Sequence, residues 1–255
     1  MQLLVSVRSA DEAEAALAGG ADIIDCKEPS RGSIGAVDSK TLAEILGRVP
    51  ARWPLSIALG DVMGAAETGR MISSLSLPDR VAPTYLKLGF AELSTLVQIE
   101  DALRSAVAAA TTHKSRPKII AVAYADAESL GSASYPEILG AAARAGCAGV
   151  LLDTQVKNGS NLFHWVSVER LIRWVGVARC DGLLVALAGG LSISEVPAAA
   201  GLSPDVIGIR GAACDGGRMG RVRAARVAEL QSIIRGFGLS STFNQPTLRA
   251  GSRKA

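Results

Sequence analysis

Four short apolar runs in this sequence stop on charged residues: DIIDCKEP on Asp25 and Lys27, YLKLG on Lys87, LLDTQVK on Asp153 and Lys157, and GIRGAACDGG on Arg210. Amines confined beside carboxylates are the ingredients of carbonyl chemistry through an imine. A free lysine, with a pKa of about 10.4, is a poor nucleophile at neutral pH, whereas desolvation or a second cation exposes its lone pair. One lysine can then attack a carbonyl while another moves protons. Asp25 would orient the amine, and Asp153 or Lys157 would serve later proton transfers. The competing reading is a buried Lys/Asp ion network that only closes the end of the fold.

For these side chains to meet, the runs must be strands of one sheet. Eight apolar runs recur along the chain, near residues 3–7, 22–27, 54–59, 85–89, 119–125, 149–154, 183–189 and 206–211. Helical stretches lie between them, opened by capping residues at Ser9, Asp38 and Ser192, the first ending at Gly19 and Gly20. Such alternation predicts βα units in a parallel sheet, and eight of them in 255 residues favour a single (β/α)8 TIM-type barrel over a doubly wound open sheet. The third helix is expected over about Val62 to Leu77, and Pro197 must fall in the first turn of the seventh or break it.

Residues two apart on a strand share a face, so Asp25 and Lys27 point the same way, inward at the barrel mouth. By the same parity Lys87 and Asp153 face inward, and side chains from alternate strands share a layer. Lys27, Lys87 and Asp153, on strands two, four and six, are therefore expected to converge.

The seventh and eighth strands end in Gly189-Gly190 and Arg210-Gly211-Ala212, where this fold commonly builds a phosphate site. Glycine lets backbone N–H groups approach an anion, and Arg210 adds charge if its side chain faces the mouth. Tight turns needing positive φ are the other explanation. Asp61 and Asp126 are open between catalysis and capping of the next helix. Cys214 reads as a buried thiol, His164 as a packing residue, and the polar segment from Lys27 to Gly35 as a lid over substrate.

Composition fits one large aliphatic core, with 49% hydrophobic but only 4% aromatic residues. The catalytic barrel is expected over residues 1–238, followed by a flexible or partner-docked tail over 239–255. That tail carries Arg249, Arg253 and Lys254 and no acid, so the net charge of +3 leaves residues 1–238 formally neutral. Nucleic acid is thus not an expected partner. No apolar run approaches the roughly 18 residues of a membrane span, and the start of the chain shows no signal segment, so a cytoplasmic protein is expected. Four scattered cysteines and two histidines, His113 and His164, suggest neither disulfides nor a metal site, and imine chemistry calls for no cofactor. Ala-rich helices on a barrel exterior favour a homo-oligomer.

The ordered strings GGADIIDCKEPSRGSIGA, YLKLG, AVAYADA, GVLLDT, ALAGG and VIGIRGAACDGG resemble the (5-formylfuran-3-yl)methyl phosphate synthases, also called 4-(hydroxymethyl)-2-furancarboxaldehyde-phosphate synthases. The likeness covers roughly residues 1 to 235. It implies a barrel lyase that condenses two molecules of glyceraldehyde 3-phosphate, with loss of phosphate and water, to the furan precursor of methanofuran-type one-carbon carriers. It further implies that Lys27 forms the imine, that Lys87 accepts a proton, and that Lys118 and Lys157, with Asp25 and Asp153, belong to the same pocket. A class I aldolase for another phosphorylated aldehyde and a barrel that binds a sugar phosphate without turnover are the rival readings.

Overall fold

The computed structural model of the chain describes residues 1–241; the expected tail from 242 onward lies outside them. Eight parallel strands follow one another around a closed barrel: β1 (Gln2–Val7), β2 (Ile23–Cys26), β3 (Leu55–Asp61), β4 (Thr84–Gly89), β5 (Lys118–Tyr124), β6 (Gly149–Asp153), β7 (Leu184–Leu187) and β8 (Val206–Ile209). Pairing of Leu4 with Gly208 and Val5 with Ile209 joins the last strand to the first, which rules out the open sheet. The helices are α1 (Ala10–Ala18), α2 (Ser39–Arg48), α3 (Ala65–Ser73), α4 (Leu96–Thr112), α5 (Tyr135–Ala145), α6 (Leu162–Trp165), α7 (Val168–Cys180), α8 (Val196–Gly201) and α9 (Ala224–Ser241). Among the described residues, no helix is long and apolar enough to cross a membrane.

Local chemistry sets most boundaries. Ser9 Oγ accepts the Glu12 amide and Asp38 Oδ1 the Thr41 amide, so α1 and α2 start where orphan N–H groups are satisfied. Gly20, with φ +86, turns the chain out of α1.

Three expected boundaries move. Helix α3 is shorter than the stretch from Val62 to Leu77. At its start the Val62 amide still donates to the Gly89 carbonyl, and at its end the residue before Pro78 is biased away from helix. Ser192 does not cap α8; its amide donates to Glu195 Oε2 in a preceding turn, and the helix begins at Val196 with Pro197 in its first turn. Helix α9 runs past Gly238 to Ser241.

The core has two layers. Outward strand residues such as Leu3, Val5, Ile24, Leu55, Leu86 and Val150 are buried beneath the helices. Each such side chain contributes about 1.5–3 kcal/mol of burial free energy. Inside the barrel a second cluster contains Ile23, Ala58, Ile120, Val122, Leu151 and Ala186. Many inward positions are small, among them Ser6, Ser56, Ala58, Gly149, Ala188 and Gly208. They leave a cavity of about 420 Å³ that reaches from Leu4, Ile23 and Val206 up to the glycines and lysines at the carboxyl ends of the strands.

Candidate active site

Strand register fixes the first pair of charges. Ser6 of β1 and Ser56 of β3 lie beside Asp25 of β2, one on each side, and Lys87 of β4 pairs with Ala58, two residues further up β3. Asp25 is fully buried. Lys87 Nζ donates to its Oδ2 at 2.7 Å, and Ser6 Oγ donates to the same oxygen at 2.7 Å. Burial pushes the Asp25 carboxyl up, but Lys87, Lys27 and these hydrogen bonds outweigh it, and the net direction is down. The carboxylate is therefore charged at neutral pH.

A second pair forms at the end of β6. Lys157 Nζ donates to Asp153 Oδ1 at 2.7 Å and to Thr154 Oγ1 at 3.0 Å. Burial raises the Asp153 carboxyl; Lys157, Lys27 and the hydrogen bonds bring it down to about 2. Asp126, open between catalysis and capping on sequence, makes no side-chain bond to cap the next helical turn. It is buried, and its two oxygens accept the Gln155 and Val156 amides at 2.7 and 2.8 Å, which fixes the loop that carries Lys157.

Lys27 stands between the pairs. It is 8% exposed, lines the cavity, and holds no carboxylate of its own among the described residues. Burial lowers its pKa, Asp153 opposes that shift, and Lys87 adds to it, bringing the amine to about 8. At a pKa of about 8 roughly a tenth of the Lys27 amine is neutral at pH 7, far more than in a free lysine.

Opposite, Gly189, Gly190, Gly211 and Ala212 line the same cavity, and among the described residues their N–H groups meet no acceptor within the protein. Arg210 also reaches the cavity wall, but its charge is already paired. Its guanidinium donates to Glu12 at 2.9 Å and to the carbonyls of Ser6, Arg218 and Gly220. It braces the loop and is not a free cation for phosphate. Arg218, in the glycine-rich loop after β8, was not singled out on sequence, although its place in GGRMG was a usable signal. It lines the cavity and donates to the carbonyls of Pro29 and Gly32, both at 2.6 Å.

Those contacts hold the segment after Lys27 across the mouth. Ser33 Oγ donates to the Thr154 carbonyl at 2.7 Å, and Ile34, 1% exposed, inserts among Ala58, Tyr124 and Ala127. Gly89 makes room for this plug; a Cβ there would collide with Asp61 Oδ1, Tyr124 OH and Ile34. Tyr124 OH donates to Asp61 Oδ1 at 2.9 Å, so Asp61 anchors a strand end and caps no helix. Lys118 is not in the pocket. It opens β5 in register with Tyr85, exposed at the amino-terminal end of the barrel, two residues below the level of Ile120 and Lys87. Cys214 is buried, and burial raises its thiol. His164 is exposed, its ring edge-on to Trp165.

A closed parallel barrel with a cavity at the carboxyl ends of its strands, lined by lysines and carboxylates, is the architecture of a (β/α)8-barrel enzyme. Residues 3–231 match the 4-HFC-P synthase model, and the chain belongs to that family. It is 32% identical to the (5-formylfuran-3-yl)methyl phosphate synthase of Methanosarcina barkeri, across 90% of this chain and 97% of that protein. It is 35% identical to the enzyme of that name from Methanopyrus kandleri, across 91% and 98%. A putative enzyme of the same name from Kitasatospora aureofaciens is 34% identical across 91% and 93%. Among solved structures, N-(5'-phosphoribosyl)anthranilate isomerase from Pyrococcus furiosus superposes with a TM-score of 0.61 at 15% identity, covering 92% of this chain and 99% of that one. 3-Hexulose-6-phosphate synthase from Salmonella typhimurium gives 0.56 at 16% identity, covering 93% and 100%. These two likenesses establish the barrel fold.

Proposed function

We propose that this chain is a Schiff-base lyase that condenses two molecules of glyceraldehyde 3-phosphate to (5-formylfuran-3-yl)methyl phosphate, feeding the assembly of methanofuran-type one-carbon carriers. The atoms balance when one inorganic phosphate and two molecules of water leave. The observation that carries the reading is the state of Lys27: a buried amine with its pKa brought to about 8, unpaired between two lysine-carboxylate pairs. The names of the relatives supply the product.

In this reading the Lys27 amine adds to the aldehyde carbon of one triose, and loss of water gives the imine. The imine is the electron sink that lets a neighbouring carbon lose a proton, after which phosphate departs and the second triose is attacked. The Lys87–Asp25 and Lys157–Asp153 pairs flank the reacting carbons and pass protons. The unpartnered amides of Gly189, Gly190, Gly211 and Ala212 hold a phosphate at the mouth.

Incubation with glyceraldehyde 3-phosphate and borohydride tests the mechanism by mass spectrometry of the Lys27 peptide. An unchanged mass would falsify it. Formation of a near-ultraviolet chromophore in the absence of borohydride tests the product, since an aldol sugar phosphate has none.

A further inference from the structure

Ser56 has no part in the chemistry above, yet its hydroxyl is the anomaly of the cavity. The residue is 1% exposed, lines the cavity, and sits in register with Asp25 on β3, the strand between those that bear Asp25 and Lys87. Its Oγ has no hydrogen-bond partner. Ser6, on the other side of Asp25, donates its hydroxyl to that carboxylate. A buried hydroxyl left unpaired carries a desolvation cost that alanine would not, so an orphan aimed into a cavity points to a ligand atom.

The surroundings limit what that atom can be. Below the lysines the lining includes Leu4, Ile23, Tyr85, Ile120, Leu151 and Val206 and, among the described residues, no cation. An anionic phosphate would lose its hydration there without compensation, and belongs at the mouth with the free amides and Arg218. An uncharged oxygen suits the lower chamber.

We propose that Ser56 is a substrate-binding residue that hydrogen-bonds the hydroxyl next to the carbonyl carbon on which the imine forms, selecting 2-hydroxyaldehydes over deoxy analogues. This rests on the synthase reading, in which the triose presents its C2 hydroxyl beside the aldehyde attacked by Lys27. A site built to pair a substrate hydroxyl discriminates against the analogue lacking it, because its own polar group is then left unpaired.

The test compares borohydride trapping of Lys27 by glyceraldehyde 3-phosphate and by 3-phosphooxypropanal, which lacks that hydroxyl, in wild type and Ser56→Ala. In Ser56→Ala the half-saturating concentration of glyceraldehyde 3-phosphate rises about tenfold, that of the deoxy aldehyde is unchanged, and thermal unfolding occurs at or above the wild-type temperature. Half-saturation by glyceraldehyde 3-phosphate within twofold of wild type overturns the proposal, as does a lowered unfolding temperature, which would mark the hydroxyl as structural. Absence of Lys27 labelling in wild type defeats the synthase reading itself; labelling that ignores Ser56→Ala defeats only the Ser56 assignment.

Discussion

Arg210 at the end of the last strand meets Glu12 of the first helix at 2.9 Å, with both side chains buried. The same guanidinium donates to the Ser6 carbonyl, so the pair seals the β8–β1 seam of the barrel beside the strand whose serine holds Asp25. Arg210→Ala would leave the buried Glu12 carboxylate with only the Arg8 guanidinium, 3.8 Å away, as counter-ion, a loss of about 3 kcal/mol. Chemical denaturation should show that loss, and adding Glu12→Gln to the same chain should recover much of it. An Arg210→Ala protein of wild-type stability would refute the bracing role.

Lys27 adds to a carbonyl only as the neutral amine, so the rate of imine trapping should rise through a pKa of about 8 and level off above it. Stability has a matching sign. The folded pKa lies below the ordinary 10.5, so the unfolded chain binds more protons between those values. The cost of the buried ammonium is complete below about pH 8 and is relieved as pH climbs towards 10.5. Lys27→Met should accordingly unfold at a higher temperature than wild type at pH 7, and the gap should narrow by pH 10.

Asp126 touches no reacting atom in this scheme, yet it sets where Lys157 stands. Asp126→Ala frees the Gln155 and Val156 amides and lets the Lys157 ammonium drift from Asp153. A displacement near 1 Å at a catalytic group costs about a hundredfold in rate. The expected outcome is a lower kcat with little change in KM, while Lys27 still traps substrate. Equal losses of trapping and turnover would show that the loop serves binding instead.

At Gly190 the backbone has φ +63, and a Cβ would lie 2.9 Å from the Ser160 carbonyl oxygen. Gly190→Ala must therefore move the loop that presents the amides proposed to hold phosphate, with a conformational penalty of about 1–2 kcal/mol. Inhibition by inorganic phosphate should weaken in this variant, and KM for the triose phosphate should rise. Unaltered phosphate inhibition would place the anion elsewhere.

The parts of the site visible in the sequence are those governed by strand alternation. A two-residue period is local, so the shared face of Asp25 and Lys27 and the inward aim of Lys87 and Asp153 could be read from a few residues each. Lys118 shows what parity omits. The family resemblance put it in the pocket, but it precedes the apolar run IIAVAY and so enters at the bottom of the barrel, whereas Lys87 follows its run and emerges at the top. The pairing of Arg210 with Glu12 joins the two ends of the barrel sequence, and the bonds of Arg218 to Pro29 and Gly32 span nearly as far. Such contacts exist only once the barrel has closed, and no local pattern encodes them. The orphaned Ser56 hydroxyl was hidden for the same reason, since a serine within an apolar strand says nothing about which partners its neighbours leave it.

Ile34 belongs to the barrel's interior cluster although it sits in a loop over the mouth. Lifting that loop returns a full isoleucine side chain to water, about 1.5–3 kcal/mol, before the Ser33 and Arg218 hydrogen bonds are counted. That alone biases closed over open by roughly tenfold to a hundredfold. Under the proposed synthase reading, that bias would keep the intermediates of the condensation behind the loop and slow the escape of product, with Ile34 and the hydrogen bonds of Ser33 and Arg218 together setting the delay.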